Sequence, residues 1–368
     1  MKQLIPIQNL YYLLCYVWDV PEQKNKVKLD GIKFHSVENL LGMVLCVNCE
    51  HLLKRGLLCT YRAMEQEVYG IKGKLNVAQT FKKGKVKLGY TQCEVDELSS
   101  NVLVNQILYS TVKRLVTSDT LDEICRERLC CVLHKFPLMK EICLTPKVFQ
   151  KVMLRRNFRN YALALHVCKL ICESLLPIRN TKGKYEFIDF MQDELKMSYV
   201  FERFLMNFCK CHCKKQFPQI HREYIHFQLS PFGMMFKKAE KVLPMMETDV
   251  SLFNPKTGQK KILDAKYYKN ALTSKFGSLE KIRREHLSQI ISYVLNQENS
   301  QKPGSLKASG TLVYPTVQED FDFFYRYRDT EHIIHVATVN LNQNWEKIEA
   351  RILEIVNGSD ELGYSNKV

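Results

Sequence analysis

The segment METDVSLFNPKTGQKKILDAKYYKN, from Met246 to Asn270, constrains the fold of this chain more than any other stretch. Its two apolar runs, separated by the turn sequence FNPKTGQ, predict a half-buried β-hairpin. Charged residues interrupt both strands: Asp249 in the first, and Asp264 and Lys266 in the second. Because side chains alternate across a strand, Asp264 and Lys266 share one face, and the turn can bring Asp249 next to them. The hairpin is therefore either a charged site or a solvated surface.

Two carboxylates brought together repel each other and are stabilised by a cation. Mg²⁺ prefers carboxylate oxygens and retains water ligands, and a neighbouring lysine can orient water or stabilise the charge on a phosphate. Asp249, Asp264 and Lys266 thus fit the PD-(D/E)xK pattern of metal-dependent nucleases, with Thr248 in place of the usual proline. An acid-x-lysine pair is also common as a surface salt bridge that contributes about 0–1 kcal/mol. The hairpin alone leaves both interpretations open.

Three further features favour chemistry at this hairpin. Glu202, in the helical segment SYVFERFLMNF, could supply a third acid, although an ordinary exposed glutamate explains it equally well. Gln289 and Tyr293 form a Q-x-x-x-Y pair on one helix face, which resembles the pair beside the metal site of RecB-like nucleases. Basic residues around the hairpin could contact phosphates: Lys256, Lys260, Lys261, Lys269, Lys275, Lys281, Arg283 and Arg284. From these we select as DNA contacts Lys269, Lys275, Arg283 and Arg284.

Charge and composition narrow the class of protein. The 368 residues carry a formal net charge of +15, which favours a polyanionic partner. No run of about 18 apolar residues and no signal-peptide pattern are present, so we expect a cytoplasmic protein that does not span a membrane. Two cysteine clusters, Cys46 with Cys49 and the run Cys209, Cys211, His212 and Cys213, lack a second ligand segment at zinc-site spacing. This favours buried thiols over zinc.

The order of predicted elements indicates two domains. Glycine-broken alternating stretches such as YGIKGKLNV and KKGKVKLGY predict small hairpins or a barrel-like unit between the early helices. A proline and a basic run mark a break between Leu144 and Phe158. Beyond it, helices alternate with the hairpin and two further strands, as in an α/β sandwich. We therefore predict an α+β N-terminal domain (1–150) and an α/β PD-(D/E)xK nuclease domain (151–368) with a central mixed sheet flanked by helices.

Six segments together resemble the McrC family, the nuclease subunits of McrBC restriction systems. They are the opening IPIQNLYYLLCYVWD, the middle segments YGIKGKLNVAQT and VDELSSNVLVNQILYSTV, the pair METDV and ILDAKYYK, and the late strand TLVYP. The resemblance implies metal-binding acids at Asp249 and Asp264 and a catalytic lysine at Lys266. It also implies that the N-terminal part docks on a hexameric McrB-like AAA+ GTPase and stimulates GTP hydrolysis, and that the partner recognises methylated cytosine.

The sequence lacks a nucleotide-binding motif, which agrees with GTP hydrolysis by the partner and not by this chain. The chain has no GxxxxGK[ST] phosphate loop, so we expect no GTP site on it. The basic tips of the glycine-rich hairpins could instead project into the pore of the partner ring. The main hypothesis is a Mg²⁺-dependent type IV restriction endonuclease subunit that cleaves double-stranded methylcytosine-containing DNA. The alternatives are a non-catalytic adaptor that activates a partner NTPase, and a basic nucleic-acid-binding protein without catalysis.

Overall fold

The computed structural model describes residues 5–23, 36–153, 160–177, 185–230, 232, 242–267, 282–298 and 303–358. The chain divides into two compact units. The sheet unit comprises Met1–Gly31 and Asp189–Val368, and the inserted unit comprises Ile32–Ile188. The chain is thus divided near residues 31 and 188, and not at the single boundary predicted near residue 150.

Helix α1 (Ile7–Val17) explains why the first residues belong to the sheet unit. The Asn9 side-chain amide donates hydrogen bonds of 2.8 Å to the backbone carbonyls of Leu341 and Gln343. The Asn207 amide donates to the backbone carbonyl of Tyr16, and the Tyr16 ring packs on Phe204 at a centroid distance of 5.5 Å. The Asn9 hydrogen bonds join residues more than 300 positions apart, and the Asn207 bond joins residues 191 positions apart, so the local sequence pattern could not show them.

The inserted unit is built from helices and a small antiparallel sheet. Its helices are α2 (Val37–Arg55), α3 (Val77–Lys83), α4 (Leu103–Val116), α5 (Glu123–Lys135), α6 (Pro146–Met153) and α7 (Ala162–Ser174). Its strands are β1 (Thr60–Tyr69), β2 (Lys74–Leu75), β3 (Tyr90–Ser99), β4 (Leu175–Pro177) and β5 (Tyr185–Phe187). The predicted stretch YGIKGKLNV contributes to a three-stranded sheet in the order β1-β3-β2, whereas KKGKVKLGY forms the end of α3 and a short 3-10 helix before β3. Strand β4 pairs with β5.

Strands β1 and β3 pair along their whole length, from Thr60 with Ser99 to Tyr69 with Tyr90. The polypeptide returns between them through β2 and α3. Gly73 has a φ of +76°, and a Cβ there would lie 2.4 Å from the Glu94 carbonyl oxygen, so this turn needs glycine. The glycines that the sequence pattern singled out therefore permit a tight, closely paired hairpin.

The sheet unit carries the remaining elements. After α1 come α8 (Glu194–His212), β6 (Gln219–His221), β7 (Tyr224–His226), β8 (Met245–Glu247), β9 (Val250–Phe253), β10 (Lys260–Ala265), α9 (Arg284–Leu295), β11 (Ser309–Thr316), β12 (Asp322–Arg326), β13 (Ile333–Asn340) and α10 (Trp345–Asn357). Six strands form a sheet in the order β12-β13-β11-β10-β9-β6, and β7 pairs with β8 separately. Strand β11 is parallel to β10 and β13, and the other pairs are antiparallel, so the predicted mixed sheet is confirmed.

Helix α9 covers one face of this sheet. Its Ile290 and Val294 belong to a buried cluster with Ile262 and Leu312. Gly310 of β11 permits the close approach, because a Cβ at that position would lie 2.6 Å from the Ile290 side chain. Burying a large aliphatic side chain stabilises a fold by about 1.5–3 kcal/mol, so this cluster fixes α9 on the strand that carries Asp264. Within the described residues, no helix combines the length and apolar character that crossing a membrane requires.

Candidate active site

Asp249, the first predicted acid, lies at a bend between β8 and β9. The sequence suggested one strand interrupted by Asp249, but β8 pairs with β7 in the small sheet and β9 pairs with β6 and β10 in the large one. Thr248 is fully buried at the bend, where its N–H donates to the Glu223 carbonyl at 3.0 Å. Its hydroxyl accepts from the Glu223 N–H, also at 3.0 Å. This reciprocal pair holds the backbone next to Asp249.

Asp249 and Asp264 meet where the bend faces β10. The Asp249 carboxylate accepts a 2.8 Å hydrogen bond from the N–H of Ala265, the residue after Asp264. Asp264 is 0% exposed, and its Oδ2 lies 2.6 Å from the Lys266 ammonium. Its Oδ1 is buried and has no hydrogen-bond partner within the described residues. The structure therefore brings the three central predicted residues together and leaves one buried carboxylate oxygen unsatisfied.

Burial sets the protonation behaviour of the two acids. Desolvation of Asp264 and the nearby negative charge of Asp249 raise its pKa to about 6, although Lys266 opposes the rise. Burial also raises the pKa of Asp249, against the hydrogen bond from Ala265 and the positive charges of Lys266 and Arg222. Two buried carboxylates of raised pKa are the arrangement that an additional cation would relieve.

Lys266 is held by the predicted glutamine. Its ammonium donates a 2.9 Å hydrogen bond to the Gln289 side-chain oxygen, in addition to the ion pair with Asp264. The Gln289 amide donates to the Tyr293 hydroxyl at 2.6 Å, and that hydroxyl donates to the Glu247 carbonyl at 2.6 Å. The Q-x-x-x-Y pair thus connects Lys266, which follows β10, to the strand that precedes Asp249.

Glu202 is engaged elsewhere in the structure. Its carboxylate forms an ion pair with Arg222, and Arg222 also contacts the Glu247 carboxylate at 3.3 Å. No described contact joins Glu202 to Asp264. Arg222, between β6 and β7 in IHREYIH, did not stand out in the sequence analysis because nothing in that segment shows that it folds back beside β8.

A second residue missed by sequence reasoning is His286 of α9. Its Nδ1 lies 2.8 Å from the Tyr314 hydroxyl, and the side chain is buried. Burial, together with the positive charges of Lys266 and Arg283, lowers the pKa of His286 to about 4. A neutral imidazole therefore stands near the lysine. The i, i+3 spacing of His286 and Gln289 is the only sequence signal that could have indicated it.

Of the basic residues predicted to surround the hairpin and contact DNA, some are exposed and others are paired or buried. Arg283 and Arg284 are exposed at the start of α9, where cationic side chains are accessible to a phosphate. Lys260 instead pairs with Glu223 at 2.8 Å. Lys261 is buried and donates a 2.7 Å hydrogen bond to the Val356 carbonyl, so it cannot contact DNA from that position. The predicted contacts Lys269 and Lys275, and also Lys281, lie outside the described residues.

The donor set at the bend fits a hard divalent cation. Carboxylate oxygens of Asp249 and Asp264 are the ligand type that Mg²⁺ takes, and Asp264 Oδ1 has no hydrogen-bond partner in the part of the chain that the structure describes. No group of three or more His, Cys, Asp or Glu side chains suited to a metal occurs in the described ranges, so an ion here would keep several water ligands.

Of the predicted thiols, Cys46, Cys49, Cys209 and Cys213 are buried and Cys211 is exposed.

Comparison with known proteins gives consistent matches. Residues 6–315 match the family described as "McrBC 5-methylcytosine restriction system component". The chain is 31% identical over 357 residues to the Escherichia coli (strain K12) protein "Type IV methyl-directed restriction enzyme EcoKMcrBC", covering 96% of this chain and 98% of that protein. A structure of Thermococcus gammatolerans McrB AAA+ hexamers with bound McrC matches with a TM-score of 0.59 at 16% identity, covering 96% of this chain and 76% of that one.

Proposed function

We propose, from the premise that this chain belongs to the McrBC 5-methylcytosine restriction system component family, that it is the nuclease subunit of such a system. It would hydrolyse phosphodiester bonds of methylcytosine-containing double-stranded DNA in the cytoplasm. The observation that carries the proposal is the convergence of Asp249, Asp264 and Lys266 at the bend, where the buried Asp264 Oδ1 has no hydrogen-bond partner among the described residues.

Asp249 and Asp264 are the residues that would hold a divalent cation, which we propose to be Mg²⁺. When bound, such an ion supplies charge stabilisation for a phosphate and acidifies a coordinated water. The chain itself contributes the rigid frame. The Ala265 N–H orients the Asp249 carboxylate, and the Thr248–Glu223 pair fixes the backbone beside it. Ligands held this firmly require little reorganisation during the reaction.

Lys266 would act on the phosphate or on the attacking water. Its ammonium has three donors, and the structure assigns two of them, to Asp264 and Gln289. A third donor is available for a phosphate oxygen or a water molecule. Tyr293 anchors Gln289 and thereby limits the rotation of the lysine. Arg283 and Arg284, exposed at the start of α9, are suited to neighbouring phosphates.

The inserted unit would bind the partner. The Thermococcus structure contains McrB AAA+ hexamers with bound McrC, and we extend that partnership to this chain. The β1–β3 hairpin and its connection expose large apolar side chains: Tyr61 at 75%, Tyr69 at 80%, Ile71 at 70%, Phe81 at 70% and Leu88 at 68%. A concentration of exposed apolar surface of this kind is typical of a protein interface. We propose that this surface, together with its basic residues, contacts a GTPase ring and stimulates it.

Cleavage and GTPase assays of the reconstituted complex test this function. The chain would be mixed with its McrB-like partner, Mg²⁺, GTP and methylated DNA. Asp264→Ala should abolish cleavage and still stimulate GTP hydrolysis by the partner. Cleavage at the wild-type rate by this variant would refute the nuclease assignment. Loss of stimulation by a folded Asp264→Ala protein would refute the division of roles between the two units.

A further inference from the structure

We infer that a cavity beside the proposed metal site holds one unpaired nucleobase of the DNA, and that the Glu223 carboxylate accepts a hydrogen bond from the exocyclic amino group of this base. The inference rests on the proposed nuclease function and adds to it a base contact near the bond that is cut. It also gives a role to the Glu223 side chain, which the proposed chemistry does not otherwise use.

The cavity lies within the sheet unit, among β6, β7, β9, the start of β10 and the residues that follow α9. Its volume of about 570 Å³ falls within the range of about 300–1,000 Å³ that is typical of small-molecule pockets. Two aromatic side chains line it: Tyr224, which is 60% exposed, and Phe253, which is partly buried. Unpaired bases stack on aromatic rings of this kind. The cavity thus offers both room and a stacking surface for a base.

Glu223, which also lines the cavity, is an acceptor that can distinguish between bases. Among the described residues, three donors bond to its carboxylate: the Ser251 hydroxyl at 2.8 Å, the Lys260 ammonium at 2.8 Å and the Gln297 amide at 3.2 Å. Burial opposes ionisation of Glu223, but the hydrogen bonds from Lys260 and Ser251 outweigh it and hold its pKa below the usual range.

The Glu223 carboxylate can accept one more hydrogen bond, because an ionised carboxylate offers about four acceptor positions. The side chain is 28% exposed, so a ligand in the cavity can reach it. A carboxylate accepts from the amino group of cytosine, whereas thymine presents a carbonyl oxygen at the same place and cannot donate. The acceptor therefore favours a base that carries an exocyclic amino group.

Glu223 also joins the cavity to the proposed metal site. Its backbone N–H and carbonyl form the reciprocal hydrogen bonds with Thr248, the residue before Asp249. Ser251, which lines the cavity, follows Asp249 by two residues. Two residues of extended backbone span about 7 Å, which corresponds to about two base steps of about 3.4 Å along one DNA strand. A base in the cavity would therefore belong to a nucleotide within a few steps of the bond that is cut.

The charge of the lining favours a base over a phosphate. Glu298 supplies a second carboxylate, which pairs with His332 at 2.8 Å. Lys260, which also lines the cavity, is already paired with Glu223. Carboxylates repel a phosphate anion and suit an amino donor. A base reaches such a cavity when it is single-stranded or turned out of the duplex, as in enzymes that extrude a nucleotide.

Binding of single-stranded oligonucleotides tests this inference without any cleavage. Fluorescence anisotropy would measure the affinity of the full-length chain, in the presence of a chelator, for octamers of deoxycytidine and of deoxythymidine. Wild-type protein should bind the cytosine octamer about tenfold more tightly, because thymine cannot donate to Glu223. Glu223→Gln should reduce this ratio to about one, since a glutamine amide both donates and accepts. Glu298→Gln, the same change at the carboxylate that pairs with His332, is the control and should keep the ratio.

The stacking surface is tested separately. Tyr224→Ala should weaken the binding of both octamers by about tenfold and leave their ratio unchanged, because stacking on a ring does not depend on the identity of the base. Tyr199→Ala is the matched control, since Tyr199 is 56% exposed on α8 and does not line the cavity. Thermal unfolding of each variant establishes that it is folded.

Three outcomes would overturn the inference while leaving metal-dependent cleavage standing. They are equal affinity of wild-type protein for the two octamers, an unchanged preference in a folded Glu223→Gln protein, and binding of deoxycytidine monophosphate as tight as that of the cytosine octamer, which would indicate a free nucleotide as the ligand. Should Glu223→Gln not fold, the wild-type ratio and the effect of Tyr224→Ala still decide. Cleavage at the wild-type rate by Asp264→Ala would instead contradict the proposed function, whatever the octamers show.

Discussion

The sheet unit and the β1–β3 hairpin of the inserted unit place polar and apolar side chains in opposite ways. In the sheet unit, Asp264 is 0% exposed and Lys261 is 2% exposed. In the hairpin, Tyr69 is 80% exposed and Phe81 is 70% exposed. Charged residues are seldom fully buried unless paired, and isolated exposed apolar residues are normal, but a concentration of them is not. The sheet unit buries charged residues, which suits its proposed catalytic site. The hairpin exposes apolar residues, which suits its proposed binding of a partner.

The difference has an energetic meaning. A buried charge costs free energy that a partner must offset, and such groups acquire the shifted pKa values that chemistry uses. An exposed apolar surface costs free energy only until a second molecule covers it, and this suits binding. The comparison therefore predicts that substitutions in the sheet-unit site change the reaction, whereas substitutions in the hairpin change the partnership.

The largest effect should come from removing the charged site. Asp249→Ala, Asp264→Ala and Lys266→Ala should each lower the cleavage rate by about 10³-fold or more, because each removes several kcal/mol of transition-state stabilisation. The measurement is the single-turnover rate with the reconstituted complex. Lys256→Ala is the matched control, since Lys256 is an exposed lysine in the turn of the same hairpin. A loss below about tenfold for Asp264→Ala would make the site structural and not catalytic.

The next effect concerns the other region. The double substitution Ile71→Ser and Phe81→Ser should reduce stimulation of the partner GTPase by about tenfold or more, because a few buried anchors dominate interface energy. Both side chains are 70% exposed, so the free chain should keep its unfolding temperature. Leu138→Ser is the control, because Leu138 is 97% exposed in the same unit and lies outside the hairpin. Equal losses for both proteins would show that the hairpin has no special part in binding.

Sequence reasoning succeeded where the pattern is local. The hairpin of β9 and β10, the helix that carries Gln289 and Tyr293, and the pairing of Asp264 with Lys266 follow from alternation and helical spacing. It failed where a side chain meets a distant segment. Asn9 bonds to Leu341, and nothing near residue 9 shows this.

The same limit applied to the candidate site. Glu202 had the right chemistry for a ligand, but Arg222 takes it, and the position of Arg222 depends on how β6 and β7 fold back. The buried environment of Lys261 was also hidden, because basic residues are usually solvated and the pattern does not show the end of α10 above it. The family resemblance supplied the partner and the proposed substrate, which no local pattern could provide.

A third prediction separates function from stability at the buried acid. Asp264 binds a proton more tightly in the folded chain, where its pKa is about 6, than in the unfolded chain, where it is 3.8. Ionising Asp264 therefore destabilises the folded chain. This destabilisation is complete above about pH 6 and disappears towards pH 4. Asp264→Asn should therefore stabilise the metal-free chain at pH 8 by about 1–3 kcal/mol, since one pKa unit corresponds to about 1.4 kcal/mol.

Denaturant unfolding in the presence of a chelator measures this difference at pH 8 and pH 4.5. The gain should be small at the lower pH, where Asp264 is largely protonated. Glu331→Gln, an exposed acid paired with Lys307, is the control and should be neutral at both values. An Asp264→Asn chain that is less stable than wild type at pH 8 would contradict the idea that burial strains this carboxylate.

The smallest effect should come from Tyr293→Phe, which tests how the frame supports the site. The phenol donates 2.6 Å to the Glu247 carbonyl and accepts from Gln289, and Gln289 holds Lys266. Removing the hydroxyl leaves both groups short of a partner and should cost about 1–3 kcal/mol of stability. Cleavage should fall by about tenfold or less, because Asp264 still holds the lysine. Tyr325→Phe, on the exposed strand β12, is the control and should change neither quantity. A loss as large as that of Lys266→Ala would place Tyr293 among the residues that touch the reacting atoms, whereas an unchanged rate would show that Asp264 alone orients the lysine.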